Sequence, residues 1–163
     1  MVATIPVPIQ FSLPEGWRSV SPDQVDAPDA AFVALRPPAS KGFTPNITIS
    51  GDLQDAGIPL TQLADEAVER LRRGAPDAEL GKRKESGSER GPGLTQAVRM
   101  TLRLNGVPEQ LLQLQVFLGM RDTRDPSRYA VVEIVLSALA EQFPGVVGEF
   151  QQFLSTIRPE EAR

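Results

Sequence analysis

Residues 94–118 alternate apolar and polar side chains on either side of one tight-turn dipeptide, and few folds accept such a stretch. Leu94, Val98, Met100, Leu102 and Leu104 alternate with Thr95, Ala97, Arg99, Thr101 and Arg103, the period of a strand with one buried face. Asn105-Gly106 follows, the strongest short hairpin signal. Leu112, Leu114, Val116 and Leu118 form the next inward row, opposite Gln113 and Gln115. Ala130, Val132, Ile134 and Leu136 form a third, backed by Tyr129, Val131, Glu133 and Val135. This last strand is apolar on nearly both faces, which predicts a central position covered from both sides. The expectation is an antiparallel meander.

The remaining segments frame that meander. Ile5, Val7, Ile9, Phe11 and Leu13 alternate with Pro6 and Pro8 between them; proline cannot donate to a ladder, so this reads as an edge strand. Residues 13–17, Leu-Pro-Glu-Gly-Trp, read as a turn closed by the only tryptophan. Ala31 to Arg36 is a short apolar run stopped by Pro37-Pro38, and Asn46 to Ser50 turns Ile47 and Ile49 inward. Leu60, Leu63, Ala64, Ala67, Val68 and Leu71 recur at helical spacing, with Thr61 placed to cap the start and Gly74 and Pro76 to end it. Lys82 to Gly93 is charged and glycine-rich without a large apolar residue, and reads as a hairpin connection. Pro144 opens a second helix whose stripe is Val146, Val147, Phe150, Phe153, Leu154 and Ile157. The 163 residues show no repeat or linker, which predicts one domain over 1–163. Its class is α+β, an antiparallel sheet of about six strands flanked by two main helices.

The chain has no histidine and no cysteine. A Ser-His-Asp triad, a cysteine nucleophile and a thiolate or imidazole zinc site are therefore excluded. The formal charge of −4 argues against nucleic acid as a partner. Asp52, Asp55 and Gly57 resemble the start of a calcium loop, but Leu63 stands where the closing carboxylate belongs; these are turn residues. Asp122, Arg124 and Asp125 lie in Asp-Thr-Arg-Asp-Pro-Ser, whose composition is that of a strand connection. No metal, cofactor or catalytic residue is expected, and the chain reads as a non-enzyme. Asn46-Ile47-Thr48 matches a glycosylation acceptor by chance inside a strand pattern. The first seventeen residues lack Lys and Arg, and the most apolar stretch, Ala130 to Ala140, is interrupted by Glu133 and Ser137. The expectation is a cytoplasmic protein with no membrane association.

Two surfaces stand out. Arg70, Arg72, Arg73, Lys82, Arg83 and Lys84 cluster in the chain as a candidate basic patch that could contact an anion or acidic protein, although the favoured reading is a solvated helix end and loop. Thr95, Arg99, Thr101 and Arg103, joined through Asn105-Gly106 to Gln113 and Gln115, are expected to share one sheet face. With Leu111, Phe117, Tyr129, Val131 and Val135 that face is mixed polar and apolar. Either a helix covers it or a partner's helix or extended segment is received there.

Residues 11–17, Phe-Ser-Leu-Pro-Glu-Gly-Trp, the strand Pro45 to Ile49, the first helix, Ser137-Ala138, Phe143 and Phe150 to Ile157 occur in an order that resembles the PsbP-like superfamily of α/β/α sandwiches. That superfamily includes photosystem II extrinsic subunits, a Ran-binding import factor, and DcrB-type and LpqN-type bacterial proteins. The resemblance covers nearly the whole chain and implies a non-enzymatic protein binder: an adaptor, chaperone or assembly factor acting through a sheet face or groove. It carries no catalytic motif to transfer. The absence of a lipobox cysteine places the chain nearer the cytoplasmic bacterial members than the LpqN-type lipoproteins. The alternative function is a small-molecule or lipid carrier with a cavity between sheet and helices. Another protein is the expected partner, and pairing about a two-fold axis into a homodimer is compatible with an open edge or face.

Overall fold

A computed structural model describes residues 9–25, 30–87, 91–121 and 127–159. In chain order the elements are β1 (Ile9–Gln10), β2 (Arg18–Val20), a 3-10 turn (Pro22–Val25), β3 (Phe32–Leu35), β4 (Asn46–Asp55), α1 (Leu60–Gly74), β5 (Glu79–Gly87), β6 (Pro92–Leu104), β7 (Val107–Arg121), β8 (Arg128–Leu139), α2 (Phe143–Thr156) and β9 (Arg158–Pro159). Seven strands form one antiparallel sheet in the order β2-β3-β4-β8-β7-β6-β5, and β1 pairs with β9 apart from it. The sheet therefore has seven strands where the sequence pattern predicts about six.

The alternating rows become the long strands. Asn105 and Gly106 both take positive φ, 52° and 80°, as a two-residue hairpin turn requires. β8 lies between β4 and β7, the central place its two apolar faces predict. Two expectations are corrected. Residues 82–87 are not a connection but most of β5, whose Lys82, Lys84 and Glu85 are exposed because β5 is the sheet's edge; charge on an edge strand blocks edge-to-edge pairing. Thr61 does not cap α1: the helix begins at Leu60 with Pro59 at the cap and no side-chain cap bond. The N-terminal edge strand expected over 5–13 is described only from residue 9, where β1 covers two residues outside the main sheet.

The helices lie on opposite faces. α2 sets Val146, Phe150 and Phe153 against Ile47 and Ile49 of β4, Val132, Ile134, Leu136 and Ala138 of β8, and Val116 of β7. Phe150 and Phe153 are fully buried; burying one such side chain stabilises by roughly 1.5–3 kcal/mol. α1 sets Leu60, Ala64 and Ala67 against Leu94, Phe117, Tyr129 and Val131, and Val68 against Val98, Met100, Leu111 and Leu139.

The Leu-Pro-Glu-Gly-Trp segment fastens α2 to the sheet's short edge. Trp17 N–H closes the turn on the Pro14 carbonyl at 3.3 Å. Its buried indole Nε1 donates to Glu149 Oε1 at 2.8 Å. Arg36, following β3, grips the same carboxylate through Nε at 3.0 Å and Nη2 at 3.3 Å. The bonds to Arg36 hold the Glu149 carboxyl below its usual range. Gly16 takes φ +92°, a conformation that favours glycine, and a Cβ there would stand 2.7 Å from Arg36 Cζ, displacing the guanidinium.

Candidate interaction surface

The hairpin register decides which residues share a face. Leu104 pairs with Val107 and Thr95 with Val116, so even-numbered residues of β6 lie with odd-numbered residues of β7. Gln113, Gln115, Phe117 and Tyr129 therefore belong to the α1 face, and Thr95, Arg99, Thr101 and Arg103 to the α2 face. The row expected on one face is split between two. A two-residue turn places the flanking residues opposite each other, which reverses the pairing that matching apolar rows would give.

On the α1 face, three of the four expected binding residues are buried and Gln113 is partly exposed. Phe117 and Gln115 are 2% exposed and Tyr129 8%. Tyr129 Oη donates to the Ile58 carbonyl, and burial raises its hydroxyl pKa. Gln96, fully buried, donates to the Ala64 carbonyl at 3.0 Å and to Gln115 Oε1 at 2.7 Å. Gln115 donates to Gln113 at 3.0 Å. Arg83 Nε donates to Gln96 Oε1 at 2.9 Å, and its Nη2 to Asp65 at 2.7 Å. The chain of bonds ties α1 to β5, β6 and β7 with every buried side-chain polar atom satisfied among the described residues. Gln96 escaped the sequence reading, although it is the one polar interruption in an otherwise apolar inward row.

The basic cluster disperses in the same way. Arg70 meets Glu133 at 3.7 Å, Arg72 meets Glu69 at 2.6 Å and donates to the Ala78 carbonyl, and Arg83 is held as above. Arg73, Lys82 and Lys84 are exposed.

On the α2 face, the helix covers β4 and β8 and reaches β7 at Val116. Leu114 and Leu118 of β7 pack against that core while staying partly exposed, Leu112 of β7 and Thr95, Ala97 and Thr101 of β6 are partly exposed, and Arg99 and Arg103 are exposed. Glu149 occupies one flank of α2, bonded toward β2 and β3. Val147 and Leu154, across the helix from it at 3.6 residues per turn, are partly exposed. Arg99 pairs with Glu79 at 3.1 Å. Thr101 donates from its N–H and hydroxyl to Asp77, at 3.2 and 2.5 Å, which lowers that carboxyl's pKa. Arg103 Nη1 reaches the Gly106 carbonyl at 3.3 Å. The result is a row of partly exposed leucines on β7 beside α2, with Arg99 and Arg103 on the neighbouring β6. The three leucines were read from the sequence as core.

The opposite half-face, beside α1, is polar. Asn46, Thr48 and Ser50 of β4 are partly exposed next to Glu133 and Val135 of β8. Burial raises the Glu133 pKa, and Arg70 partly offsets this. A cleft of about 260 Å³ opens here, lined by Ser50, Asp52, Leu63, Glu66, Arg70 and Glu133 among others. Asp52 lies within β4 and Asp55 at its end, followed by the turn that holds Gly57; Asp122, Arg124 and Asp125 lie outside the described residues. No group of carboxylates able to hold a metal ion occurs among the described residues. No helix there is long and apolar enough to cross a membrane.

No protein-family model matches the sequence, and no curated protein matches it significantly. Solved structures do share the fold. The chain is similar to LpqN of Mycobacterium tuberculosis, a protein involved in cell envelope biogenesis, with TM-score 0.67 at 12% identity over 96% of this chain and 86% of that one. It is similar to the cyanobacterial PsbP of Synechocystis, with TM-score 0.56 at 13% identity over 93% and 86%. The Ran-binding protein Mog1p of Saccharomyces cerevisiae gives TM-score 0.54 at 14% identity over 92% and 89%. The fold is PsbP-like, an α+β antiparallel sheet with two helices.

Proposed function

We propose that this chain is a non-enzymatic protein-binding module, an adaptor or assembly factor, and that it binds through the leucine strip beside α2. The observation that carries the reading is the row Leu112, Leu114 and Leu118, partly exposed at the margin of the core that α2 covers, with Leu114 and Leu118 packed against that core. An apolar strip rimmed by polar residues is the usual form of a docking surface. Thr95, Arg99, Thr101 and Arg103 supply that rim; Gln113, Gln115, Phe117 and Tyr129 belong to the support beneath α1. The Ran-binding and envelope-biogenesis roles of similar folds favour a protein partner, although fold alone does not transfer function.

The carrier reading requires an enclosed apolar cavity between sheet and helices. The clefts of about 280, 260 and 560 Å³ lined by described residues all open to solvent, which favours the docking surface. The test is co-purification from the native host with wild type and with Leu112→Glu. One specific protein retained by wild type and lost from the variant supports the reading. Equal retention by both, or recovery of a small metabolite in place of a protein, overturns it.

A further inference from the structure

The turn that joins β6 to β7 carries a chemically reactive pair of residues. The chain has two asparagines, Asn46 and Asn105, and the fold places them in opposite circumstances. Asn46 lies partly buried in β4, its Nδ2 donating to the Thr44 carbonyl at 3.1 Å, and the branched Ile47 follows it. Asn105 and Gly106 are both exposed at the hairpin tip, with φ 52° and 80°. The Asn105 carboxamide makes no hydrogen bond to a described residue, and neither does the Gly106 N–H. A Cβ placed at Gly106 would meet no atom within 4 Å, so the space around the turn is open.

We propose that Asn105 is a site of spontaneous deamidation, and that the conversion loosens the hairpin tip. The Gly106 nitrogen attacks Asn105 Cγ. Its proton and the Nδ2 amino group leave together as ammonia, which closes a succinimide ring. Water then opens that ring. Cleavage of the bond from Cγ to nitrogen gives aspartate at 105, and cleavage at the Asn105 backbone carbonyl gives isoaspartate. Asparagine is a thermolabile residue in general, and glycine after it removes the side chain that would crowd the attack. The attack requires Asn105 to leave its turn geometry. An exposed tip does so at low cost, because local opening is easiest where few contacts hold the chain. Either product adds a negative charge beside a loop already supplied with carboxylates. Asn105 Nδ2 stands 3.9 Å from the place of a Gly42 Cβ, and the adjacent Lys41 is shared by Glu109 at 3.1 Å and Glu141 at 3.3 Å. Isoaspartate also lengthens the backbone of a two-residue turn by one carbon, so the Leu104–Val107 pair that closes it cannot keep its geometry.

The test is incubation of the full chain in warm, mildly alkaline buffer, followed by peptide mass mapping with fragmentation that separates aspartate from isoaspartate. The chain unfolded in guanidinium and the folded variant Asn105→Gly are incubated in parallel. The expected result is that both acids accumulate at 105 while Asn46 keeps its amide. Conversion in the folded chain should lie within roughly tenfold of the unfolded rate, as a readily opened tip requires. Amide exchange at Val107 should quicken as isoaspartate accumulates, with Leu112 to Leu118 still protected. Asn105→Gly keeps a residue suited to the turn, so its Val107 exchange should stay constant through the same incubation. Conversion at 105 as slow as at Asn46 in the folded chain overturns the proposal. So does a converted chain whose Val107 exchange matches that of the fresh protein.

Discussion

The sheet leaves two half-faces open, one beside each helix, and they differ in kind. The half beside α1 mixes Asn46, Thr48, Ser50 and the part-buried Glu133 with the partly exposed Val20, Leu35 and Val135. The half beside α2 presents Leu112, Leu114 and Leu118 with a charged rim. Both arise from one geometry, in which α2 packs on residues of β3, β4, β7 and β8 on one face and α1 on residues of β6, β7 and β8 on the other. Polar side chains outnumber apolar ones on the half beside α1. The other half is richer in leucine, and that difference is why it is the proposed docking surface.

The helices that frame these halves are also fastened differently, and this can be broken experimentally. α2 rests on aromatic packing. Phe153→Ala should cost about 3–5 kcal/mol in urea unfolding, the largest effect of any single change considered. α1 rests on small residues and a polar chain. Gln96→Ala leaves Gln115, the Ala64 carbonyl and Arg83 without their partner. It should cost roughly 2–3 kcal/mol, and amide exchange should loosen α1 while α2 stays protected. A uniform loss of protection across both helices would contradict the separate fastening.

Glu149→Gln probes the weaker clamp on α2. The carboxyl's pKa is lowered in the folded state, chiefly by its bonds to Arg36. Its contribution is therefore fully present above the unfolded carboxylate pKa and is lost as pH falls through the depressed folded value. The variant should lose about 1–2 kcal/mol at neutral pH, a figure reduced by partial exposure. It should also show a shallower decline of stability on acidification than wild type. Glu133→Gln works in the opposite sense on the polar half-face. Burial raises that carboxyl's pKa in the folded state, so its ionisation withdraws stability as pH rises above the unfolded value. The substitution should be neutral in acid and stabilising at neutral pH by less than about 1 kcal/mol.

Much of the architecture was legible in the chain. The meander, the central β8, both amphipathic helices and the tryptophan turn follow from period, proline and glycine. The edge strand β5 was hidden, because a strand charged on both faces loses the alternation that marks the others. The expected binding row is split between two faces for a definite reason. Apolar rows were matched with apolar rows, whereas Asn105-Gly106 pairs Leu104 with Val107 and turns the β7 leucines to the other side. The turn carried the register, and its consequence was available from the sequence. The Gln96 chain was not, since it depends on how α1 lies across the sheet.

The central claim compares two half-faces, and site-specific photocrosslinking in the native host tests it at both. A photoreactive residue is placed at Leu112 on the leucine strip or at Thr48 on the polar half. The account predicts a discrete crosslink to one protein from position 112 and none from position 48. Crosslinking from position 48 alone, or from neither position, would contradict it.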